Sequence, residues 1–285
     1  MKIVSTISDM KNLSLTFQKA GRKVALVPTM GALHEGHLSL VKLAKRRCNT
    51  VVMSIFVNPT QFGPSEDFTK YPRPFEEDCA KAETAGCDVV FSPEKSEMYP
   101  EESATFITVE RLSNQLCGAS RPGHFKGVAT VVLKFFNIVS PHVAVFGMKD
   151  ALQCIIIKRM ADDLNVPVEL IFAPTVREPD GLAMSSRNSY LTSTERSGAS
   201  LIHTGLETAR TLYDAGEHNA SRIRSAMLEQ YKKATSFSVE YVEIVDPVRV
   251  QPLVKIDRSA LVAVAVRTSE TRTRLIDNII LGGTL

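Results

Sequence analysis

Apolar residues fall along this chain in two rhythms. Short continuous runs at 23–27, 50–57, 88–91, 142–146 and 168–172 are bounded by polar or turn residues. They predict strands covered on both faces, as in a parallel sheet. Between them run stripes at helical spacing. Leu38, Val41, Leu43 and Ala44 end in the basic last turn Lys45-Arg46-Arg47. Val128, Val131, Val132, Phe135, Phe136 and Val139 make a second stripe, and Leu152, Ile155, Ile156, Met160 and Leu164 a third. Ser8-Asp9 predicts the cap of a helix that runs toward Ala20 and is closed by Gly21. Phe75 to Ala85 predicts an acidic-starting helix closed by Gly86, with a polar loop over 65–73 before it. Thr105 to Val109 predicts one more extended piece.

Strands alternating with helices predict a doubly wound α/β sheet with right-handed crossovers, Rossmann-like in layout. Beyond Pro174 the rhythm changes. Two helical segments, 194–215 and 220–234, precede strand patterns at 239–245, 260–266 and 275–281, which predicts a smaller α+β domain. The expected division is 1–175 and 176–285, with the site between the two domains and residues 181–188 as a mobile lip.

The stretch from Val27 to Leu38 is the crossing from strand to helix that the rest is organised around. Gly31 and Gly36 permit close backbone approach, and the new helix aims unpaired N–H groups and a partial positive charge above the strand. That geometry suits a polyphosphate, with His34 and His37 beside it. Gly31 and Gly36 have P-loop spacing, but His37-Leu38 stands where Lys and Ser/Thr belong, so it is not a P-loop. No G-x-G-x-x-G occurs, and H-E-x-x-H is absent, which argues against dinucleotide and zinc readings. Other strand ends carry Asn58 and Gln61, and Gly147-Met148-Lys149-Asp150 with Gln153 one turn on. Ligands in open α/β sheets bind beyond such ends. The basic turn Arg121 to Gly127 suits either a phosphate or carboxylate contact or a solvated connector.

Composition narrows the class. With 285 residues, 44% hydrophobic and 23% charged, the chain can bury a large core. A formal charge of +3, with no basic run beyond three residues, gives no case for nucleic acid, and no apolar stretch predicts a membrane span. The N-terminus shows no signal-peptide core. Five scattered cysteines without C-x-x-C predict reduced thiols and a cytoplasmic setting.

A second segment, Gly181 to Asn188, joins the first. His34-Glu35-Gly36-His37 and Met184-Ser185-Ser186-Arg187-Asn188 together resemble the HxGH and KMSKS-like signatures of the nucleotidylyltransferase superfamily. The whole chain resembles the pantothenate synthetase (pantoate–β-alanine ligase) family. The resemblance rests on Pro28-Thr29-Met30-Gly31, His34 to His37, Ser54 to Pro59, Gln61-Phe62, Tyr71-Pro72-Arg73, Arg121 to Phe125, Gly147 to Asp150, Gln153, Met184 to Asn188 and Arg274 to Asn278.

Membership implies an ATP- and Mg²⁺-dependent ligation of pantoate and β-alanine through a pantoyl-adenylate, in a cytoplasmic homodimer. Carried onto this sequence, it implies that ATP is bound by Met30, Gly31, Ala32, Leu33, His34, Glu35, Gly36 and His37. Gly147, Met148, Lys149, Asp150, Val176, Met184, Ser185, Ser186 and Arg187 complete that set. His37 is the implied proton donor, with His34, Lys149 and Arg187 beside it in catalysis. Gln61 and Gln153 are the implied holders of pantoate, Gln61 also near β-alanine, and Asn58 faces the same cleft. The metal ligands are not implied by any motif. Met148 and Leu152 depart from the Glu and Gln that members often carry. Two rival readings are a nucleotidylyltransferase that keeps the nucleotide in its product and a non-catalytic nucleotide sensor.

Overall fold

The computed structural model describes residues 1–64 and 66–285; Ser65, first residue of the expected 65–73 loop, lies outside them. The chain divides into two compact units. The first comprises residues 1–114, 118–147 and 156–174, the second residues 115–117, 148–155 and 175–285.

The first unit is built on six parallel strands: β1 (Lys2–Val4), β2 (Val24–Thr29), β3 (Thr50–Ile55), β4 (Val89–Phe91), β5 (Val143–Gly147) and β6 (Glu169–Ala173). Their order is β1-β4-β3-β2-β5-β6. Helices α1 (Ile7–Lys19), α2 (Glu35–Arg47), α3 (Phe75–Thr84) and α4 (His124–Val139) cover the sheet. Because strand side chains alternate, each strand serves two cores. Ala25, Val27, Val51 and Met53 pack with Leu40, Val41 and Ala44 of α2 and Ala82 of α3. On the other face Phe91 meets Phe135 of α4 edge-on, with ring centroids 6.2 Å apart. Burial on both sides is why β2 reads as an unbroken apolar run, Val24 to Val27 being fully inaccessible.

Strand order reverses between β2 and β5, whose registers pair Ala25 with Val143 and Leu26 with Ala144. This is the switch point at which open α/β sheets take ligands. The turn bearing His34 and His37 leaves β2, and the turn bearing Lys149 leaves β5.

The second unit is an antiparallel sheet, β7 (Phe237–Val245), β8 (Ala260–Thr268) and β9 (Arg274–Leu281), in that order. Ile202, Leu206, Ile223 and Met227 from its helices pack on Val242, Ile244, Val262 and Val264. The division between units falls inside α5 (Ala151–Asp163). No helix among the described residues is long and apolar enough to cross a membrane.

The structure corrects several expectations. Strand β1 has no periodic signal in the sequence; it exists because Lys2, Ile3 and Val4 pair with Val89, Val90 and Phe91. Helix α1 is capped by Thr6, whose hydroxyl accepts from the Asp9 N–H at 3.1 Å, so Ser8 and Asp9 lie inside its first turn. The 105–109 piece joins no sheet; Ile107 N–H instead donates to the Thr130 hydroxyl at 2.9 Å. The expected 194–215 helix is two, α6 (Ser193–Ala199) and α7 (Leu201–Asp214), followed by α8 (Ala220–Tyr231). At the break the Ser200 hydroxyl donates to the Ser197 carbonyl at 3.0 Å, the local competition with helix bonding that serine favours.

Candidate active site

The turn after β2 is locked by its own side chains. His34 is the N-cap of α2, its Nδ1 accepting the Gly36 N–H at 3.1 Å, while His37 Nδ1 accepts the His34 N–H at 3.3 Å. The ring centroids are 4.1 Å apart. Since both Nδ1 atoms accept, each neutral ring carries its proton on Nε2. The turn therefore presents two imidazole donors in addition to the helix N-terminus. Glu35 turns outward, 3.6 Å from Lys42.

A residue the sequence did not single out holds this turn in place. Asp78 of α3 is fully buried and accepts from the backbone N–H groups of Ala32 at 2.8 Å and Leu33 at 2.7 Å. Lys81, one turn on, donates to the Leu33 carbonyl at 3.0 Å. Burial raises the Asp78 carboxyl, and the two N–H donors offset part of that rise. Gly31 sits at φ +83°, and a Cβ there would lie 2.8 Å from the Asp78 carboxylate, so glycine is required on both counts. The only sequence-level trace of this clamp is an acid in the first turn of α3, which ordinary dipole pairing would also explain.

After β3, Asn58 caps a 3₁₀ turn over Pro59–Gln61. Its amide donates to Gln61 Oε1 at 3.0 Å and to the Gly127 carbonyl at 3.1 Å, and its oxygen accepts from the Thr60 hydroxyl at 2.9 Å. At 1% exposure, Asn58 orients Gln61 from behind. Gln61 Nε2 in turn lies 3.1 Å from Met30 Sδ, which joins the loops after β2 and β3. The Arg121 turn is not a solvated connector: Arg121 forks onto Glu66 at 2.6 and 2.7 Å.

In the second unit, Met148, Lys149 and Asp150 form a 3₁₀ turn that runs into α5, with Lys149 Nζ 3.8 Å from Asp150. Asn278 of β9 donates both amide hydrogens to this turn, to the Met148 carbonyl at 2.8 Å and the Lys149 carbonyl at 2.9 Å. Its neighbour Asp277, 2% exposed at the side chain, forks Arg177 at 2.5 and 3.1 Å. Arg177 also donates to the Gly181 carbonyl at 3.0 Å. Val176 accepts the Met184 N–H at 3.0 Å, and the Ser185 hydroxyl accepts from Arg187 N–H at 3.2 Å, capping the turn over Ser186–Tyr190. Two adjacent residues of β9 thus connect the Lys149 turn to the 176–187 loop. Gln153 stands on the first turn of α5, and Leu152 beside it is buried.

Similarity to known proteins runs along nearly the whole chain. A sequence model of the pantoate-beta-alanine ligase family matches residues 2–280. A pantothenate synthetase of Pelotomaculum thermopropionicum is 51% identical over 282 residues, covering 99% of each chain. The crystal structure of pantothenate synthetase from Thermus thermophilus superposes with a TM-score of 0.91 at 42% identity, over 98% of this chain and 99% of that one. A pantoate-beta-alanine ligase from Francisella tularensis, complexed with beta-gamma ATP and beta-alanine, superposes with a TM-score of 0.80 at 33% identity, over 98% and 97%. The chain belongs to the pantoate–beta-alanine ligase family.

Proposed function

We propose that this chain condenses pantoate with β-alanine at the expense of ATP, through a pantoyl-adenylate, and releases AMP and pyrophosphate. The observation that carries this is the locked pair of imidazoles at the α2 N-terminus, beyond the strand-order switch, in a chain matched to the family from residue 2 to 280.

A carboxylate is already a nucleophile, so its attack on the α-phosphorus needs no activated serine or cysteine. The obstacle is anion meeting anion. Preorganised donors lower it, and deleting one such donor costs on the order of 10²–10³ in turnover. His34 and His37 supply Nε2–H groups, Lys149 and Arg187 full charges, and Ser185 and Ser186 hydroxyls. Met30 to Leu33, Gly147, Met148, Val176 and Met184 frame the nucleotide with backbone and apolar contacts. His37 is the proton donor as pyrophosphate leaves. Gln61, backed by Asn58, and Gln153 take pantoate, whose hydroxyls and carboxylate need donors and acceptors together. The β-alanine amine then attacks the mixed anhydride and expels AMP. Residues 1–175 carry the histidines and Gln61, and residues 176–285 the 181–188 lip, whose closure protects the anhydride from water.

Mg²⁺ arrives with ATP. Among the described residues no three His, Cys, Asp or Glu cluster as a metal cage, and Mg²⁺ needs none, since phosphate oxygens, waters and one carboxylate satisfy it. Asp150, beside Lys149, would offer that carboxylate, and the bound ion would neutralise phosphate charge. A cytoplasmic homodimer completes the proposal.

Pantoate-dependent exchange of labelled pyrophosphate into ATP, run without β-alanine, tests the adenylate directly. Exchange is expected with pantoate and absent without it. Failure to exchange, or a product that retains the nucleotide, rejects the proposal.

A further inference from the structure

The Arg121–His124 turn does more than start a helix. Arg121 and Glu66 form a fork whose side chains are 17% and 22% exposed. Burial pushes the Glu66 carboxyl up, but the Arg121 hydrogen bonds and charge outweigh it and hold it below the usual carboxylate range. From that brace Arg121 NH1 reaches His124 Nε2 at 3.0 Å. A guanidinium only donates, so Nε2 accepts and the ring is neutral, with its proton on Nδ1. Nδ1 lies 2.7 Å from the Gln61 carbonyl and donates to it; Arg121 NH2 is 3.5 Å from the same oxygen. Helix α4 closes the other side: a Cβ on Gly127 would stand 2.4 Å from the Thr60 carbonyl oxygen and 2.6 Å from Gln61 N. Gln61 is therefore held at its main chain by His124 and at its side chain by Asn58.

We propose that His124 is a positioning residue for the acid substrate: oriented by Arg121 and Glu66, it fixes the Gln61 main chain so that the Gln61 amide meets pantoate at a set angle. This placement rests on Gln61 holding pantoate, as proposed above. The His124 and Arg121 contacts fall on the Gln61 main chain, and the link from Gln61 to the ATP turn is its Nε2 to Met30 Sδ at 3.1 Å, so the larger effect is expected on pantoate and the smaller on ATP.

The test separates the two substrates in the pyrophosphate exchange assay. His124→Leu removes the donor to the Gln61 carbonyl. His124→Asn restores one, because its amide nitrogen lies about where Nδ1 does. Loss of one net hydrogen bond predicts a pantoate KM raised about fivefold to tenfold in His124→Leu, with the ATP KM within about twofold. His124→Asn should return the pantoate KM most of the way. Gln61→Ala is the control for the underlying assignment. If Gln61→Ala raises the pantoate KM and His124→Leu does not, the positioning role is wrong. Equal rises in both KM values, without rescue by His124→Asn, make His124 a general brace and overturn the role as well. If Gln61→Ala leaves the pantoate KM unchanged, it is the assignment of Gln61 that fails. Should His124→Leu not fold, Arg121→Gln removes the Nε2 partner and reads the same split.

Discussion

Asp78 is where the structure commits most to a single side chain. Its two carboxylate oxygens satisfy two consecutive backbone N–H groups of the turn that sets up His34 and His37, at 2.8 and 2.7 Å, with no solvent access. Asp78→Ala leaves the buried Leu33 N–H and the part-buried Ala32 N–H without this acceptor. Each such loss costs about 1–3 kcal/mol, and the small cavity adds to it, so about 3–5 kcal/mol of stability should disappear. Asp78→Asn keeps the shape but turns an NH₂ toward one of the N–H groups, so it should recover less than half of that. Ala32 is at φ +50°, a left-handed conformation that a residue with a Cβ keeps only where something holds it. Released, the turn should let the imidazoles drift, and the ATP KM should rise at least tenfold while the pantoate KM changes little. Urea unfolding followed by circular dichroism gives the first number and pyrophosphate exchange the second. An Asp78→Ala protein within 1 kcal/mol of the parent, with an unchanged ATP KM, would refute the reasoning.

Three further predictions come from the second unit. Asn278→Ala removes both bonds to the Met148 and Lys149 carbonyls and should raise the ATP KM about tenfold in the exchange assay; an effect on the pantoate KM alone would contradict this. Gly181 sits at φ +91°, and a Cβ would come within 2.1 Å of the His203 ring, so Gly181→Ala should lower the melting temperature, and adding His203→Ala should recover part of the loss. Burial alone would raise the Glu195 carboxyl, but N–H groups of Thr271 and Thr192 and nearby threonine hydroxyls hold it at about 2. A carboxyl depressed on folding stabilises above its unfolded value and loses that contribution as pH falls. Up to about 3 kcal/mol should therefore vanish between about pH 4.5 and 2, and Glu195→Gln should flatten that slope in unfolding measured against pH.

Much of the architecture was legible in the chain because its causes are local. β2 and β3 announce themselves as apolar runs, since a strand covered on both faces has no polar side to show. The stripe from Val128 to Val139 became α4 without revision. The turn bearing His34 and His37 was readable for the same reason: its capping bonds span only two or three residues. Where local preference was divided, the reading missed. Thr6 won the α1 cap from Ser8, and Ser200 interrupted a continuous helical pattern.

The class of chemistry can be read from the chain alone: a strand-to-helix turn with two histidines, a lysine after β5 and a serine-rich loop, on an alternating α/β frame. How those groups are held depends on contacts between distant parts of the chain. Asp78 reaches back 45 and 46 residues to the histidine turn, His124 63 to Gln61, and Asn278 129 and 130 to the lysine turn. Strand β1 waits on β4, nearly ninety residues on, for its hydrogen bonds. Periodicity and capping patterns record bonds made within a few residues. A carboxylate that meets an N–H across the fold leaves no such mark, because its partner is chosen by the order of the strands.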